Sequence, residues 1–194
     1  MKKKLPILLM IFILLLSLPS CSFKKENSKE EQKESMQTEK AAAFPEFEGK
    51  DLNGNMVEGT TLFSEHSVTV VNFWSNTCPA CIGELSTLDK LNKDLEAKGG
   101  TVIGINVDTL DGNQEQIATA QDLLTKNNAS FQNIYFVNGS EARNFANRIP
   151  AYPTAYVIDK NGRIVGEAVV GSVANTRLME KLQMLIQEAM KAES

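Results

Sequence analysis

The fold is decided by one stretch of sequence, VTVVNFWSNTCPACIGEL, which occupies residues 68–85. Residues 68–73 form an apolar, β-branched run of the kind found in a central strand that is covered on both faces. From Cys81 onward, apolar residues recur at helical spacing as far as Leu95, and the pattern ends near Gly99 and Gly100. The stretch therefore predicts a strand that turns directly into a helix around Cys78.

On either side of this junction the chain predicts further strands and helices. Residues 44–57 indicate an N-terminal hairpin with an Asn-Gly turn. Downstream, the pattern predicts strands over 101–107 and 134–137, helices over 114–126 and 141–148, an antiparallel pair over 154–158 and 163–170, and a closing helix over 175–190. We predict one α/β domain over residues 44–194, with a mixed central β-sheet flanked by helices.

Composition excludes several classes of protein. The chain has 194 residues and 42% apolar composition, which suits one packed domain. Its 20 basic and 24 acidic side chains give a net charge of −4, so we expect no nucleic-acid partner. A single histidine, His66, excludes a multi-His metal site, and three cysteines cannot supply the four thiolates of a structural zinc. We expect no metal, no cofactor and a monomer.

The N-terminus has the features of a secretion signal. Lys2, Lys3 and Lys4 precede an apolar run over residues 5–16, which is shorter than the roughly 20 residues that span a bilayer. The run ends in Leu18-Pro19-Ser20-Cys21, which resembles a bacterial lipobox, although Pro19 is an unusual residue at its position. We therefore expect residues 1–20 to be a lipoprotein signal peptide and Cys21 to carry the lipid. A plain signal peptide or a retained anchor is the alternative.

Residues 21–43 have the composition of a polar tether. Between Ser22 and Ala43 there are five lysines and five glutamates, with Phe23 as the only aromatic residue. A flexible coil of this length spans roughly 25 Å, which keeps a domain close to a bilayer. The alternative is a surface helix, because acidic and basic residues around position 31 fall at i,i+3 and i,i+4 spacing.

The two remaining cysteines, Cys78 and Cys81, are spaced for a reversible disulfide. Two thiols three residues apart at the start of a helix can join with little backbone movement. The N–H groups of the first helical turn favour an anion, so we expect the pKa of Cys78 to be lowered and Cys78 to be the nucleophile. Cys81 lies one turn deeper, on the side of Leu85 and Leu88, so we expect it to resolve the mixed disulfide that Cys78 makes.

The sequence resembles thioredoxin-like proteins. The resemblance rests on Val71-Asn72-Phe73-Trp74, on Cys78-Pro79-Ala80-Cys81 and on Ala151-Tyr152-Pro153-Thr154, and it covers about residues 44–189. Within these proteins, the chain is similar to the membrane-tethered TlpA/ResA group. The similarity rests on the N-terminal hairpin, an extra strand and helix over 133–148 and the lipoprotein-type start. This resemblance implies a thiol-disulfide oxidoreductase on the extracytoplasmic face of the cell membrane. It also implies clients that are disulfides of exported proteins, such as cytochrome c maturation substrates or methionine sulfoxide reductase, and an integral-membrane thiol donor.

The resemblance also implies roles for residues around the cysteine pair. Pro153 matches a cis-proline that faces the cysteines and prevents metal capture, while the backbone beside it pairs with the substrate; Pro150 is the competing candidate. Tyr152, Trp74 and Pro79 are expected to contact the substrate, although Trp74 is equally consistent with a core role.

An acid is expected to serve the proton chemistry of the pair. Asn72 stands where thioredoxin has a buried acid, so the chain lacks that proton acceptor. Glu84 matches a glutamate that follows the motif in ResA-like members, and a partly desolvated carboxylate there could exchange a proton with Cys81. A solvated acid near the start of the helix is the alternative interpretation.

The motif matches three other functions less well. A peroxiredoxin-type thiol peroxidase requires P-x-x-x-T/S-x-x-C, and the chain has Ser75 but Val71 in place of proline. A Sco-type copper metallochaperone resembles C-x-x-x-C with a downstream histidine, whereas the spacing here is one residue shorter and His66 lies upstream. A noncatalytic surface lipoprotein with the same fold has no need of both cysteines.

Overall fold

The computed structural model describes residues 42–136 and 139–191. The predicted signal peptide, the lipidation site Cys21 and the tether over residues 21–41 lie outside these ranges and stay predictions. Within them, no helix has the length and apolar character needed to cross a bilayer.

Seven strands and five helices form the described part of the chain, in an order that alternates β and α through its centre. Two short strands and a one-turn helix come first, and a 3₁₀ segment, Val107–Gly112, precedes the third helix. The elements are β1 (Glu48–Asp51), β2 (Met56–Glu58), α1 (Gly59–Ser64), β3 (Val68–Trp74), α2 (Pro79–Glu96), β4 (Thr101–Asn106), α3 (Gln114–Lys126), β5 (Asn133–Phe136), α4 (Glu141–Ala146), β6 (Thr154–Asp159), β7 (Ile164–Val170) and α5 (Thr176–Lys191).

All seven strands belong to one mixed sheet in the order β2-β1-β5-β4-β3-β6-β7. The strands β3, β4 and β5 run parallel, whereas β6, β7, β1 and β2 pair antiparallel with their neighbours. The register places Phe73 of β3 opposite Ile105 of β4 and Thr154 of β6. The end of β3 therefore lies between the segments that follow β4 and precede β6.

The strand β3 is the centre of the core, and all seven of its residues are buried. Alternate residues point to opposite faces of the sheet. Val70 and Trp74 pack with the buried sides of α2, α3 and α5, whereas Val71 and Phe73 pack with an aromatic cluster near α1 and α4. The mixed central sheet flanked by helices that the sequence predicts is confirmed.

The predicted elements differ from the observed ones mainly at the N-terminal end. The hairpin is present, but Phe44 and Phe47 pack in the core before β1 instead of forming its strand. The turn is built by Asp51, whose carboxylate accepts the backbone N–H groups of Asn53 and Asn55. Neither α1 nor the 3₁₀ segment is predicted from the sequence, because neither is long enough to show a period of 3.6 residues. The predicted inserted strand and helix are present as β5 and α4.

One contact across the sheet depends on a glycine. The indole Nε1–H of Trp74 donates to Asn133 Oδ1 at 2.8 Å, from β3 to β5 across β4. Between them lies Gly104, where an added Cβ would overlap the Asn133 amide. The missing side chain therefore lets an amide from β5 satisfy the buried indole next to the β3–α2 junction.

Candidate active site

The two cysteines of the motif form a disulfide at the N-terminus of α2. Cys78 is the residue that caps the helix and is partly exposed, whereas Cys81 is wholly buried on the side that packs against the core. Their Cα atoms are 5.2 Å apart. An incoming thiolate or disulfide can therefore reach the sulfur of Cys78 and not that of Cys81, which fits the expected order of attack.

A backbone donor is directed at the outer sulfur. The N–H of Cys81 donates to Cys78 Sγ at 3.2 Å, and Pro79 occupies the first helical position, where a missing N–H costs nothing. After reduction the same N–H faces the thiolate, where the positive end of the helix stabilises an anion. The site can thus hold the leaving thiolate of Cys78 without a metal or a cationic side chain.

The loop before β6 faces the pair through a cis-proline. The Tyr152–Pro153 peptide bond is cis, as predicted, and the alternative position Pro150 has no cis bond. The carbonyl oxygen of Tyr152 lies 3.7 Å from Cys78 Sγ. The carbonyl oxygen of Pro153 accepts a hydrogen bond from the N–H of Gly171. This loop therefore closes one side of the site and leaves the disulfide accessible from the other.

The aromatic residues expected at the substrate surface are placed differently from one another. Tyr152 is partly exposed beside the disulfide. Burial, with the negative charge of Asp108 as a further cause, raises the pKa of the Tyr152 phenol, so it stays protonated at neutral pH. Trp74 is wholly buried, which fits the core role that the sequence left open beside the substrate contact, and its side chain supports the loop from the core. Pro79 is exposed next to Cys78.

Glu84 is buried more completely than the sequence suggested, with none of its surface exposed. Its Oε2 accepts a hydrogen bond from the backbone N–H of Val173 at 2.7 Å, and its Oε1 accepts one from Nδ2 of Asn72 at 3.3 Å. Burial raises the pKa of Glu84 to about 7, against the opposing effect of hydrogen bonds from Val173, Ser172 and Asn72. The side chain lies one turn beyond Cys81 on the same buried side of α2 and can exchange a proton near neutral pH.

Asp108 is a residue of the site that the sequence analysis missed. Its Oδ2 accepts the hydroxyl of Ser75 at 2.8 Å and the backbone N–H of Asn76 at 2.7 Å. Buried Asn106 also donates to Asn76, with Nδ2 2.7 Å from Asn76 Oδ1. These contacts fix the turn that leads from β3 to Cys78. The signal was available, because the carboxyl ends of adjacent parallel strands meet at the same edge of a sheet.

The residues that copper binding or peroxidase chemistry would need do not have the required geometry. His66 precedes β3, at the end of that strand opposite the cysteines, and seven residues of strand separate the two ends by about 20 Å. In the described ranges no three side chains of the metal-binding types cluster together. The Ser75 hydroxyl, the remaining part of the peroxidase pattern, is engaged by Asp108. Neither copper binding nor peroxide chemistry gains support from these placements.

A reversible disulfide at a helix N-terminus, facing a cis-proline in a mixed sheet, defines the class of this protein. It is a thiol-disulfide oxidoreductase with a thioredoxin-like fold. The chain belongs to the AhpC/TSA family, whose family model matches residues 41–166.

Individual relatives agree with this class. The chain is 27% identical over 138 residues to the thiol-disulfide oxidoreductase ResA of Oceanobacillus iheyensis, covering 70% of this chain and 67% of ResA. It is 23% identical over 140 residues to the thioredoxin-like protein YneN of Bacillus subtilis, covering 72% of this chain and 76% of YneN. A thiol:disulfide interchange protein of the thioredoxin family from Chlorobium tepidum has a similar fold, with a TM-score of 0.59 at 20% identity, over 77% of this chain and 97% of that protein.

The first prediction concerns Asp108. We expect Asp108→Ala to lower kcat/KM for disulfide reduction by about 10- to 100-fold, because the turn that presents Cys78 loses two hydrogen bonds and a small misplacement is costly. Asp108→Asn keeps an oxygen acceptor and should lose much less. The rates are measured by insulin reduction, with Asp122→Ala as a matched control at an exposed ion pair on α3. A wild-type rate for Asp108→Ala would contradict the assignment.

The second prediction concerns the pH dependence of stability. An unfolded glutamate releases its proton near pH 4.5, whereas folded Glu84 keeps it until about 7. The folded state therefore holds more protons between these values, and the free energy of unfolding should fall by about 3 kcal/mol as pH rises through this window and level off above it.

Glu84→Gln should remove this fall and make the oxidised protein more stable than wild type at pH 8. Urea unfolding of the oxidised protein between pH 4 and 8 measures the effect. Glu180→Gln, at an exposed position on α5, serves as the control and should keep the wild-type slope. The same slope in Glu84→Gln and wild type would show that Glu84 is not the responsible group.

Proposed function

We propose that this chain reduces disulfides of exported proteins outside the cytoplasm, held at the membrane by a lipid on Cys21. The observation that carries the proposal is the arrangement of three groups. The Cys78–Cys81 disulfide faces the cis-Pro153 loop, and buried Glu84 lies on the same side of α2 as Cys81. This arrangement has an accessible nucleophile, a shielded resolving thiol and a buried group that can move its proton.

The proposed cycle begins with the reduced pair. The Cys78 thiolate attacks one sulfur of the client disulfide, a bond forms between Cys78 and the client, and the other client sulfur leaves as a thiolate. Cys81 gives its proton to Glu84 and attacks Cys78 Sγ, which breaks the mixed disulfide and forms the Cys78–Cys81 bond. The client gains two electrons and, from solvent and Glu84, two protons. A thiol donor then returns the pair to the dithiol.

The charges around the pair favour reduction over oxidation. A strongly oxidising pair has a stabilised thiolate in its reduced form. Here none of the hydrogen bonds or ion pairs of the described residues brings a lysine, arginine or histidine side chain to Cys78 or Cys81. Asp108 lies at the turn before Cys78 and Glu84 lies one turn beyond Cys81, and negative charge disfavours a thiolate. A less stabilised thiolate gives a more reducing couple.

The surface beside the disulfide suits an extended polypeptide client. Pro79 and Ala80 are exposed on one side of Cys78. On β7, Val170 is 51% exposed and pairs with Thr154, directly after the cis-proline. Exposed apolar residues on the motif and on the strand that pairs beside the cis-proline suit the apolar sequence around a cysteine in an unfolded chain. We propose cytochrome c maturation substrates or methionine sulfoxide reductase as clients, a monomeric enzyme and an integral-membrane thiol donor.

The third prediction tests the order of attack. Cys78→Ala should abolish insulin reduction by dithiothreitol-fed protein, because no accessible sulfur remains. Cys81→Ala should instead accumulate a mixed disulfide between Cys78 and the client, since the resolving thiol is missing. Mass spectrometry of the trapped species identifies the client in cells. Unchanged insulin reduction in Cys78→Ala, or trapping through Cys81 in place of Cys78, would refute the assignment.

The fourth prediction tests the anchor. Wild-type protein expressed with its own signal should fractionate with membranes and carry a diacylglycerol-type mass at Cys21, whereas Cys21→Ala should lose that mass and leave the membrane pellet. Ser22→Ala is the matched control. A Cys21→Ala protein that stays in the membrane with residues 1–20 attached would show a retained signal anchor in place of a lipid.

A further inference from the structure

Asn72 and Glu84 form a buried pair with one unused hydrogen-bonding atom. Asn72 lies on β3 with 1% of its surface exposed, and its Nδ2 donates to Glu84 Oε1 at 3.3 Å. Its Oδ1 is buried and has no hydrogen-bond partner among the described residues. An unsatisfied buried acceptor costs stability, so its presence beside a titratable group calls for a physical explanation.

The contacts of Glu84 indicate which oxygen takes the proton. Its Oε2 accepts the backbone N–H of Val173 at 2.7 Å, and a backbone N–H can only donate. The longer and weaker contact is at Oε1, which faces the Asn72 amide. A proton on Oε1 would then point at Nδ2, and two donors would face each other.

A half-turn of the Asn72 amide removes this conflict. Rotation about χ2 exchanges Nδ2 for Oδ1, which then accepts the Oε1–H of the neutral acid. The rotation forfeits no hydrogen bond of Oδ1, because that atom has none. The amide can therefore donate to the carboxylate or accept from the carboxyl from the same backbone position.

We propose that Asn72 is a positioning residue whose amide reverses with each protonation and deprotonation of Glu84, so that the buried acid is hydrogen-bonded in both states. The inference deepens the proposed function, because it rests on Glu84 as the group that exchanges a proton with Cys81. Asn72 touches neither substrate nor sulfur in this scheme and acts through Glu84.

Among the groups that face Glu84, the side chains of Asn72 and Ser172 can adapt to its protonation. From the loop before α5 come the N–H of Val173 and the side chain of Ser172, and from β3 comes Asn72. On its own helix the nearest titratable group on the buried side is Cys81, which is in the disulfide. No charged side chain is among the causes that shift its pKa. The Val173 donor is fixed backbone, so the response to a proton falls to the side chains.

The test follows the amide directly in the oxidised full-length protein in detergent micelles. The side-chain ¹H and ¹⁵N signals of Asn72 should change with the same pH midpoint as the Glu84 carboxyl carbon, and Glu84→Gln should abolish that change. The amide of Asn161, exposed in the β6–β7 turn, is the control and should not follow this midpoint. Asn72 signals that stay constant while Glu84 titrates would overturn the proposal.

Variants supply a second readout. Asn72→Leu, which has similar volume, removes the hydrogen bond to Glu84 in both of its protonation states. Because the bond to the charged carboxylate is the stronger of the two, the pH midpoint of Glu84 should rise by about half a pH unit or more. The pH profile of the mixed-disulfide resolution rate should move by the same amount. An unchanged midpoint in a folded Asn72→Leu protein would overturn the proposal; if that variant does not fold, Asn72→Ala replaces it with the same expectation.

The outcome also separates this inference from the proposed function. If the Asn72 amide follows Glu84 but Glu84→Gln resolves the mixed disulfide at the wild-type rate, the buried pair exists and the catalytic role of Glu84 is wrong. If Glu84→Gln slows resolution but the amide does not follow the carboxyl, the role of Glu84 stands and that of Asn72 is wrong.

Discussion

The structure depends on the rigid junction between the end of β3 and the start of α2. The strand β3 is hydrogen-bonded on both sides, and its register with β6 sets Phe73 opposite Thr154. Since Pro153 directly precedes Thr154, the same ladder that holds the strand also brings the cis-proline loop to Cys78. The distance between the disulfide and this loop is therefore set by sheet pairing, and not by flexible side chains. Catalytic groups supported in this way keep their geometry through a redox cycle.

The sequence predicts those parts of this arrangement that depend on residues close together in the chain. The helix over 114–126 and the strand that begins at Thr101 match because an amphipathic stripe and an apolar β-branched run each have a clear period. The spacing of Cys78 and Cys81 predicts their disulfide because two thiols three residues apart at the start of a helix can join with little backbone movement. The cis bond at Pro153 was implied by resemblance, since no local rule distinguishes it from a trans turn.

What the sequence could not provide are contacts made between distant segments. Asp108 reaches Ser75 across 33 positions, and Val173 reaches Glu84 across 89. The periodicity of a sequence does not predict contacts between such distant residues. The sequence leaves Trp74 open between the substrate surface and the core, because an aromatic residue beside a reactive motif is equally compatible with both. Its burial is decided by Asn133 and Gly104, two residues that only the folded sheet brings together.

The buried acid is the clearest departure from rules of stability in this domain. Glu84 has no cationic partner in the part of the chain that the structure describes, and desolvation holds its pKa near 7, so the folded state is destabilised whenever the carboxyl ionises. A leucine at this position would join the core of Leu85 and Leu88 without that cost. Violations of local stability rules concentrate at functional sites. Because the acid lies one turn beyond the resolving cysteine, the cost is best explained by the step in which Cys81 must lose its proton out of reach of solvent.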